Sequence, residues 1–300
     1  MPRLITALLA ILVLLAACGG GSGASGSAAS DGAATGGCTA DNLETKADGR
    51  LTIGTSNPAF PPYVMPPDEG EEATAPWELG DPTKGRGFEA AVAYAVAEEL
   101  GFAEDAVDWI AVPFENTFAP GEKEFDFALQ QISYTEERAE VVDMSDGYFF
   151  VNQALVSRDG SDLAGAASIE DIRPFRLGVA SGTTSLAYIE EVIQPEEDPS
   201  VYNDNDAAIA ALNAEQIDGI VVDLPTAFFI TAAQMEDGVI VGQFPPAEDE
   251  QERFSLVLEQ GSPLTDCVNE AIGTLTESGR LDEITEEWMT EDAGAPLIEP

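Results

Sequence analysis

The sequence predicts an α/β protein with parallel sheets, arranged as one large domain or two small lobes. Three observations carry this expectation. Short β-rich runs alternate with stretches of helical periodicity. About 260 residues remain after an N-terminal segment that reads as export signal and spacer. Hydrophobic residues make up 44% of the chain and charged residues 23%, the balance of a sequence able to bury an ordinary core.

The elements follow in order. Residues 1–17 read as a signal peptide, because Arg3 precedes an apolar run, Leu4 to Leu15, that is too short to span a bilayer. The run ends in Leu15-Ala16-Ala17-Cys18-Gly19, which resembles the lipobox of bacterial lipoproteins, so Cys18 is the expected lipidation site. Residues 18–37 are almost wholly Gly, Ser, Ala and Thr, a flexible tether of roughly 25 Å mean span. Leu51 to Thr55 is the first strand. In Gly87 to Leu100, Phe88, Val92, Ala95, Val96 and Leu100 recur at helical spacing until Gly101 stops them. Between the two lies Met65 to Arg86, rich in Pro, Gly and acid. It is either a functional rim loop or a solvated insertion with Trp77 tucked onto the lobe. Strand Arg176 to Ala180 leads to helix Thr184 to Ile193, and strand Gly219 to Asp223 to helix Pro225 to Ala233. Val268, Ala271, Ile272 and Leu275, then Leu281, Ile284 and Trp288, mark two closing helices before a Pro-rich coil.

Composition excludes several functions. Asp and Glu number 56 against 12 Lys and Arg, a formal net charge of -44, so the surface repels nucleic acid and anionic headgroups and neither is an expected partner. We read the excess as an adaptation to high salt. There is no His, which rules out Ser-His-Asp triads, Cys-His pairs and imidazole metal sites; no metal, cofactor or catalytic residue is expected. With Cys18 set aside, Cys38 and Cys267 form an even pair. An oxidising compartment favours a disulfide between them over two buried thiols.

Four separated stretches offer groups suited to a zwitterion. Ser181-Gly182-Thr183-Thr184 opens a helix whose first turn lacks acid, so its amino end is available to an anion, or Thr183 or Thr184 simply caps it. Gln131-Ile132-Ser133-Tyr134-Thr135-Glu136-Glu137-Arg138 supplies a guanidinium able to grip a carboxylate, or else a surface ion pair with Glu136, Glu137 or Asp143. Asp223 ends an apolar strand, where it can receive an ammonium or favour the following helix dipole. Thr55 to Tyr63 carries Asn57 and Phe60 among prolines, with Phe60 either over a ligand or in the core.

Together these stretches resemble the family 3 extracellular solute-binding proteins, the amino-acid receptors of ABC importers, over roughly Leu51 to Trp288. The ordered blocks are the Gly-Thr strand with its aromatic-Pro turn, Gly-Phe-Glu opening a helix, Ile-Ser-x-Thr-x-x-Arg, Leu-Gly-Val-x-x-Gly-Thr-Thr and Ile-Asp-Gly-x-x-x-Asp. The resemblance implies the type II periplasmic-binding-protein-like fold, two α/β lobes joined by two hinge strands with a ligand cleft between. Lobe 1 is then 38–149 plus 248–290, lobe 2 is 150–247 with the hinge crossings, and 291–300 is a C-terminal tail. It further implies that Ser133, Arg138 and the Thr184 amide, beside Thr183, hold a ligand α-carboxylate, Asp223 its α-ammonium, and Phe60 its side chain. Asn57 and Gln131 stand where receptors for basic amino acids carry Asp and Ser, which points to a polar or neutral side chain. Gly147 stands where the family usually has Pro. The implied function is capture of a free amino acid by a monomer for an ABC permease, with no catalysis. The protein would be anchored to the outer face of the cell membrane only through lipid on Cys18. The rivals are an enzyme on the same fold, of the cyclohexadienyl dehydratase type, and a ligand-sensing or interaction domain.

Overall fold

The computed structural model describes residues 37–246, 251–289 and 295–300. The signal peptide, Cys18 and most of the tether lie outside the described residues. Ten strands follow in chain order: β1 (Leu51–Thr55), β2 (Val107–Ala111), β3 (Phe127–Ala128), β4 (Asp143–Val151), β5 (Gln153–Arg158), β6 (Leu177–Ala180), β7 (Ser200–Tyr202), β8 (Gly219–Asp223), β9 (Gly238–Gln243) and β10 (Glu252–Leu258). They form two five-stranded sheets, ordered β2-β1-β3-β10-β4 and β7-β6-β8-β5-β9.

The sheets are mixed, which corrects the expectation of parallel ones. β1 runs parallel to β2 and β3, and β6 to β7 and β8, but β10 is antiparallel to β3 and β4, and β5 to β8 and β9. The reason is covalent. A parallel neighbour needs a long crossover connection, usually a helix. β4 and β5 are separated only by Asn152, and β10 follows β9 with no intervening helix among the described residues. These passages carry the chain from the first sheet to the second and back.

Each sheet is covered on both faces. In the first, Leu51, Ile53, Phe127 and Phe254 pack with Phe88, Val92 and Val96 of helix Phe88–Glu99 and with helices Thr265–Glu277 and Arg280–Trp288. Phe88, Phe127 and Phe254 are fully buried, each worth about 2 to 3 kcal/mol of apolar burial. In the second, Ala154 and Val156 of β5 enter one cluster and Leu155 between them enters another, as strand alternation dictates. Cys38 is disulfide-bonded to Cys267, with Cα atoms 5.4 Å apart across 229 residues of sequence. In the chain-entropy account closure of that length is worth about 5 kcal/mol.

Three local features depart from expectation. Helices Thr184–Tyr188 and Leu224–Phe229 are short and each runs on into a π-helical turn, Ile189–Ile193 and Ile230–Gln234. The C-terminal segment is not free coil. Its residues 295–300 lie along β9, where Gln243 N donates to Pro296 O at 2.8 Å and Ile298 N to Gln243 O at 2.9 Å. Ile298 is buried in one cluster with Leu155 and Phe244, and Ala295 packs against the other, so the tail is docked by apolar contacts as well as by these bonds. Gly147 is required by Arg253: a Cβ there would lie 2.7 Å from Arg253 Cδ, whose guanidinium covers the Tyr134 ring at 4.1 Å. No helix among the described residues is long and apolar enough to cross a membrane.

Candidate functional site

The carboxyl ends of β1, β3, β6 and β8 face a common cavity of about 530 Å³, the place where open α/β sheets bind ligands. Ser56, Asn57 and Phe60 line it after β1, Gln130, Gln131, Ser133 and Arg138 after β3, Ser181, Thr183 and Thr184 after β6, and Asp223 at the end of β8. All eight ligand-site residues singled out in the sequence therefore border one space, contributed by both sheets.

Arg138 sits on the short helix Glu136–Ala139, which Thr135 caps by accepting from Arg138 N at 3.1 Å. Its side chain is buried rather than paired at the surface. Nη1 donates to Ser133 O at 2.5 Å and Nη2 crosses to Gly182 O at 2.8 Å. The guanidinium lies 4.4 Å from the Phe118 ring centroid and 5.8 Å from that of Phe114. Burial lowers its pKa and the nearby Glu252 and Asp223 charges oppose that, so it stays cationic. These two bonds use two of five N–H donors, leaving a guanidinium edge for an anion.

Opposite Arg138 stands the helix Thr184–Tyr188. Thr183 is its cap, accepting from Leu186 N at 3.3 Å and donating to Ala180 O at 2.9 Å, and no acid lies in the first turn. The Thr184 hydroxyl is 3.5 Å from Ser133 Oγ and donates to Glu252 at 2.5 Å. What Thr184 offers a ligand is thus its backbone N–H. Asp223 precedes the helix Leu224–Phe229 without capping it; its Oδ1 instead accepts from Gln153 Nε2 at 2.7 Å. Burial first, then the charge of Glu252, holds its pKa well above the usual carboxylate range.

Phe60 is half-buried, 6.1 Å from Phe229 of the other sheet's layer, and forms a tilted aromatic wall rather than core. Asn57 is committed to the rim: Nδ2 donates to Pro76 O at 2.9 Å and Oδ1 accepts from Glu78 N at 3.2 Å. The segment Met65 to Arg86 is accordingly tied down at the cavity edge, with Trp77 buried. Gln131 adopts a left-handed backbone, φ 54°, held by Glu89: Oε1 accepts from Gln131 N at 2.6 Å, and Oε2 accepts from its side-chain amide. Tyr148 O–H donates to the same Glu89 Oε1 at 2.5 Å. Glu89 is fully enclosed, and burial outweighs these three donors, pushing its pKa up to about 7.

Sequence reasoning missed Glu89, Phe114, Gln130, Gln153 and Glu252. An acid between Phe88 and Val92 on a core-facing helix was a signal for Glu89, and Gln153 opening an apolar strand was a weaker one. Gln130 lines the cavity with a buried Oε1 that lacks a partner among the described residues. Glu252 carried no local signal. No cluster of acids, Cys or His among the described residues could hold a metal.

Residues 51–291 match the family model of bacterial extracellular solute-binding proteins, family 3. The chain belongs to this family. Among family 3 relatives it is 25% identical over 212 residues to an arginine-binding extracellular protein of Bacillus subtilis, covering 68% of this chain and 78% of the relative. It is 24% identical over 251 residues to an L-cystine-binding protein of Escherichia coli, covering 83% and 86%. Among solved structures it is similar to an ancestral arginine-binding protein bound to arginine. That match has TM-score 0.63 and 25% identity, and covers 80% of this chain and 97% of the other. The two-lobe type II fold of the family is the one described here.

Proposed function

We propose that this family 3 protein captures a free amino acid between its lobes and delivers it to an ABC importer, without catalysing a reaction. The observation that carries the reading is that Arg138 and the amino end of helix Thr184–Tyr188 face the same cavity as Asp223, so one dipolar molecule can meet a cation and an anion at once. Lobe 1, 38–149 with 248–290, contributes Arg138 and Ser133. Lobe 2, 150–247, contributes Thr184 and Asp223. A ligand bridging them favours the closed form by its differential affinity. Relatives named for binding arginine, cystine and glutamine support an amino acid as the class. Asn57, engaged by the protein itself, stands where receptors for basic amino acids carry Asp, and Gln131, held by Glu89, where they carry Ser, which favours a polar or neutral side chain. The protein acts as a monomer outside the cell, exported by residues 1–17 and held to the membrane by lipid on Cys18.

A thermal-shift panel of the twenty amino acids in high salt tests this. Ligand at about 100 times its dissociation constant adds about 2.7 kcal/mol, several degrees for a domain of this size. Stabilisation by one or a few amino acids without product formation supports capture. Turnover of prephenate or arogenate would instead establish the dehydratase-type enzyme, and no shift with any amino acid would favour an interaction domain.

A further inference from the structure

Gln131 stands in the cavity wall with a left-handed backbone, φ 54°, that a residue with a Cβ rarely adopts. One carboxylate holds it there. Glu89 Oε1 accepts from Gln131 N at 2.6 Å, and Glu89 Oε2 accepts from Gln131 Nε2. Tyr148 O–H of β4 donates to the same Oε1 at 2.5 Å, so Glu89, 1% exposed, is itself fixed in place. A carboxylate only accepts hydrogen bonds, so the nitrogen end of the Gln131 amide must turn towards it. Oε1 is the end left without a hydrogen bond among the described residues, on a half-buried side chain that lines the cavity. Gln130 beside it is oriented in the same sense. Its Nε2 donates to Thr117 Oγ1 at 2.6 Å and to Val112 O at 3.3 Å, and Oε1 is again the unpartnered end. Two successive side chains after β3 therefore commit their amide donors to the protein and keep their acceptors.

The charges nearby are already engaged. Glu89 uses both oxygens on Gln131 and Tyr148. Asp204 and Asp206, which also line the cavity, are exposed; Asp204 Oδ1 accepts from Ala207 N at 2.8 Å and Asp206 Oδ1 from Gln234 Nε2 at 3.1 Å. A cationic side chain brought against Gln131 would meet amide oxygens, which do not offset its desolvation. An uncharged N–H or O–H satisfies such an oxygen without that cost.

We infer that Gln131 determines which side chain the cavity accepts and that Glu89 sets its orientation: with the amide nitrogen held by the carboxylate, Oε1 meets the ligand and selects an amino acid whose uncharged side chain ends in an N–H or O–H donor. The inference rests on the amino-acid reading of the site and narrows its ligand class. Arg138, Ser133, Thr184 and Asp223 are the groups for the zwitterion, which leaves Gln131 for the side chain. Glu89 acts through Gln131 and is a positioning residue. In Glu89→Gln one carboxylate oxygen becomes an NH2, the Gln131 amide turns over to accept from it, and the Gln131 NH2 then faces the cavity. The polarity of the wall is reversed.

Titration calorimetry in high salt tests it at pH 8.0, above the value of about 7 at which Glu89 titrates, so that the carboxylate is ionised. The probes are pairs of similar length that differ in the end group: glutamine against methionine sulfoxide, asparagine against S-methylcysteine sulfoxide, and serine against O-methylserine. In the unaltered protein the donor-ended member of at least one pair should bind about tenfold tighter or more, because its counterpart leaves Gln131 Oε1 unsatisfied. Glu89→Gln should shift that preference at least about tenfold towards the acceptor-ended member. Gln131→Met, which keeps the side-chain length without an amide, should bring the pair within a factor of about two. Equal affinities within every pair for the unaltered protein, which needs no variant to fold, overturn the selection. So does a preference that survives in Gln131→Met, or tighter binding of arginine, lysine or an apolar amino acid than of any donor-ended probe. An unchanged preference in Glu89→Gln, or equal weakening of both members, overturns the positioning role. No heat with any of the twenty amino acids overturns the capture reading with it.

Discussion

Replacing Glu89 by Gln should remove a pH dependence of stability that the buried carboxyl imposes. Glu89 titrates at about 7 in the folded protein against an ordinary 4.5. A carboxyl with a raised folded pKa binds its proton more tightly in the native state. Its effect is absent below about 4.5, where both states are protonated. Stability then falls as pH rises towards 7, because the unfolded chain ionises first, and the loss is complete above that. At 1.36 kcal/mol per pKa unit, the gap corresponds to about 3 kcal/mol. In Glu89→Gln the amide oxygen still accepts from Tyr148 and Gln131 N, and the Gln131 side-chain amide turns over to present its oxygen to the new NH2, so the packing is kept while the titration is lost. Urea unfolding of both proteins at pH 4.5, 5.5, 6.5 and 7.5, at one high salt concentration, gives the difference between them, in which the repulsion among the other acids cancels. The variant should gain about 3 kcal/mol on the unaltered protein across this range. Parallel stability curves for the two would refute the reasoning.

Other expectations follow from single contacts. Arg138→Ala should abolish the amino-acid-induced thermal shift and weaken binding at least 100-fold, since losing one partner of a buried ion pair costs about 3 to 5 kcal/mol; a weakening of less than tenfold in direct titration contradicts the proposed carboxylate clamp. Ile298→Ala should cost about 2 to 4 kcal/mol in urea unfolding, because the side chain is buried beside Leu155 and Phe244; an unchanged midpoint would mean that the tail is not docked. Cys38→Ser with Cys267→Ser should lower stability by about 2 to 5 kcal/mol while leaving ligand affinity within a factor of two, as measured by unfolding and titration.

Strands rich in β-branched residues were legible: Leu51–Thr55 and Gly219–Asp223 have the bounds that their apolar runs imply, and the helix beginning at Phe88 stops at Glu99, beside Leu100 and Gly101. Local periodicity says nothing of which strand pairs with which, so the antiparallel β5 and β10 were not legible from it. The motif residues Arg138, Ser133, Thr184, Asp223 and Phe60 meet at one cavity because each follows a strand end, and strand ends are readable. Groups that act through them were harder. Glu252 is one of 56 acids, and nothing in its neighbours announces that Thr184 and Gln153 will close on it from the other sheet. The Asn57 side chain looked free for a ligand because its partners, Pro76 and Glu78, lie 19 and 21 residues away in a loop without periodicity.

The central claim is that a cation and an anion from opposite lobes hold one small zwitterion. Equilibrium dialysis of the protein against an equimolar mixture of the twenty amino acids, read by chromatography, addresses it without assuming the side chain. One or a few amino acids should concentrate on the protein side, approaching one per chain, and Arg138→Ala should return them to equality. Equal concentrations of all twenty on both sides with the unaltered, folded protein would contradict the claim.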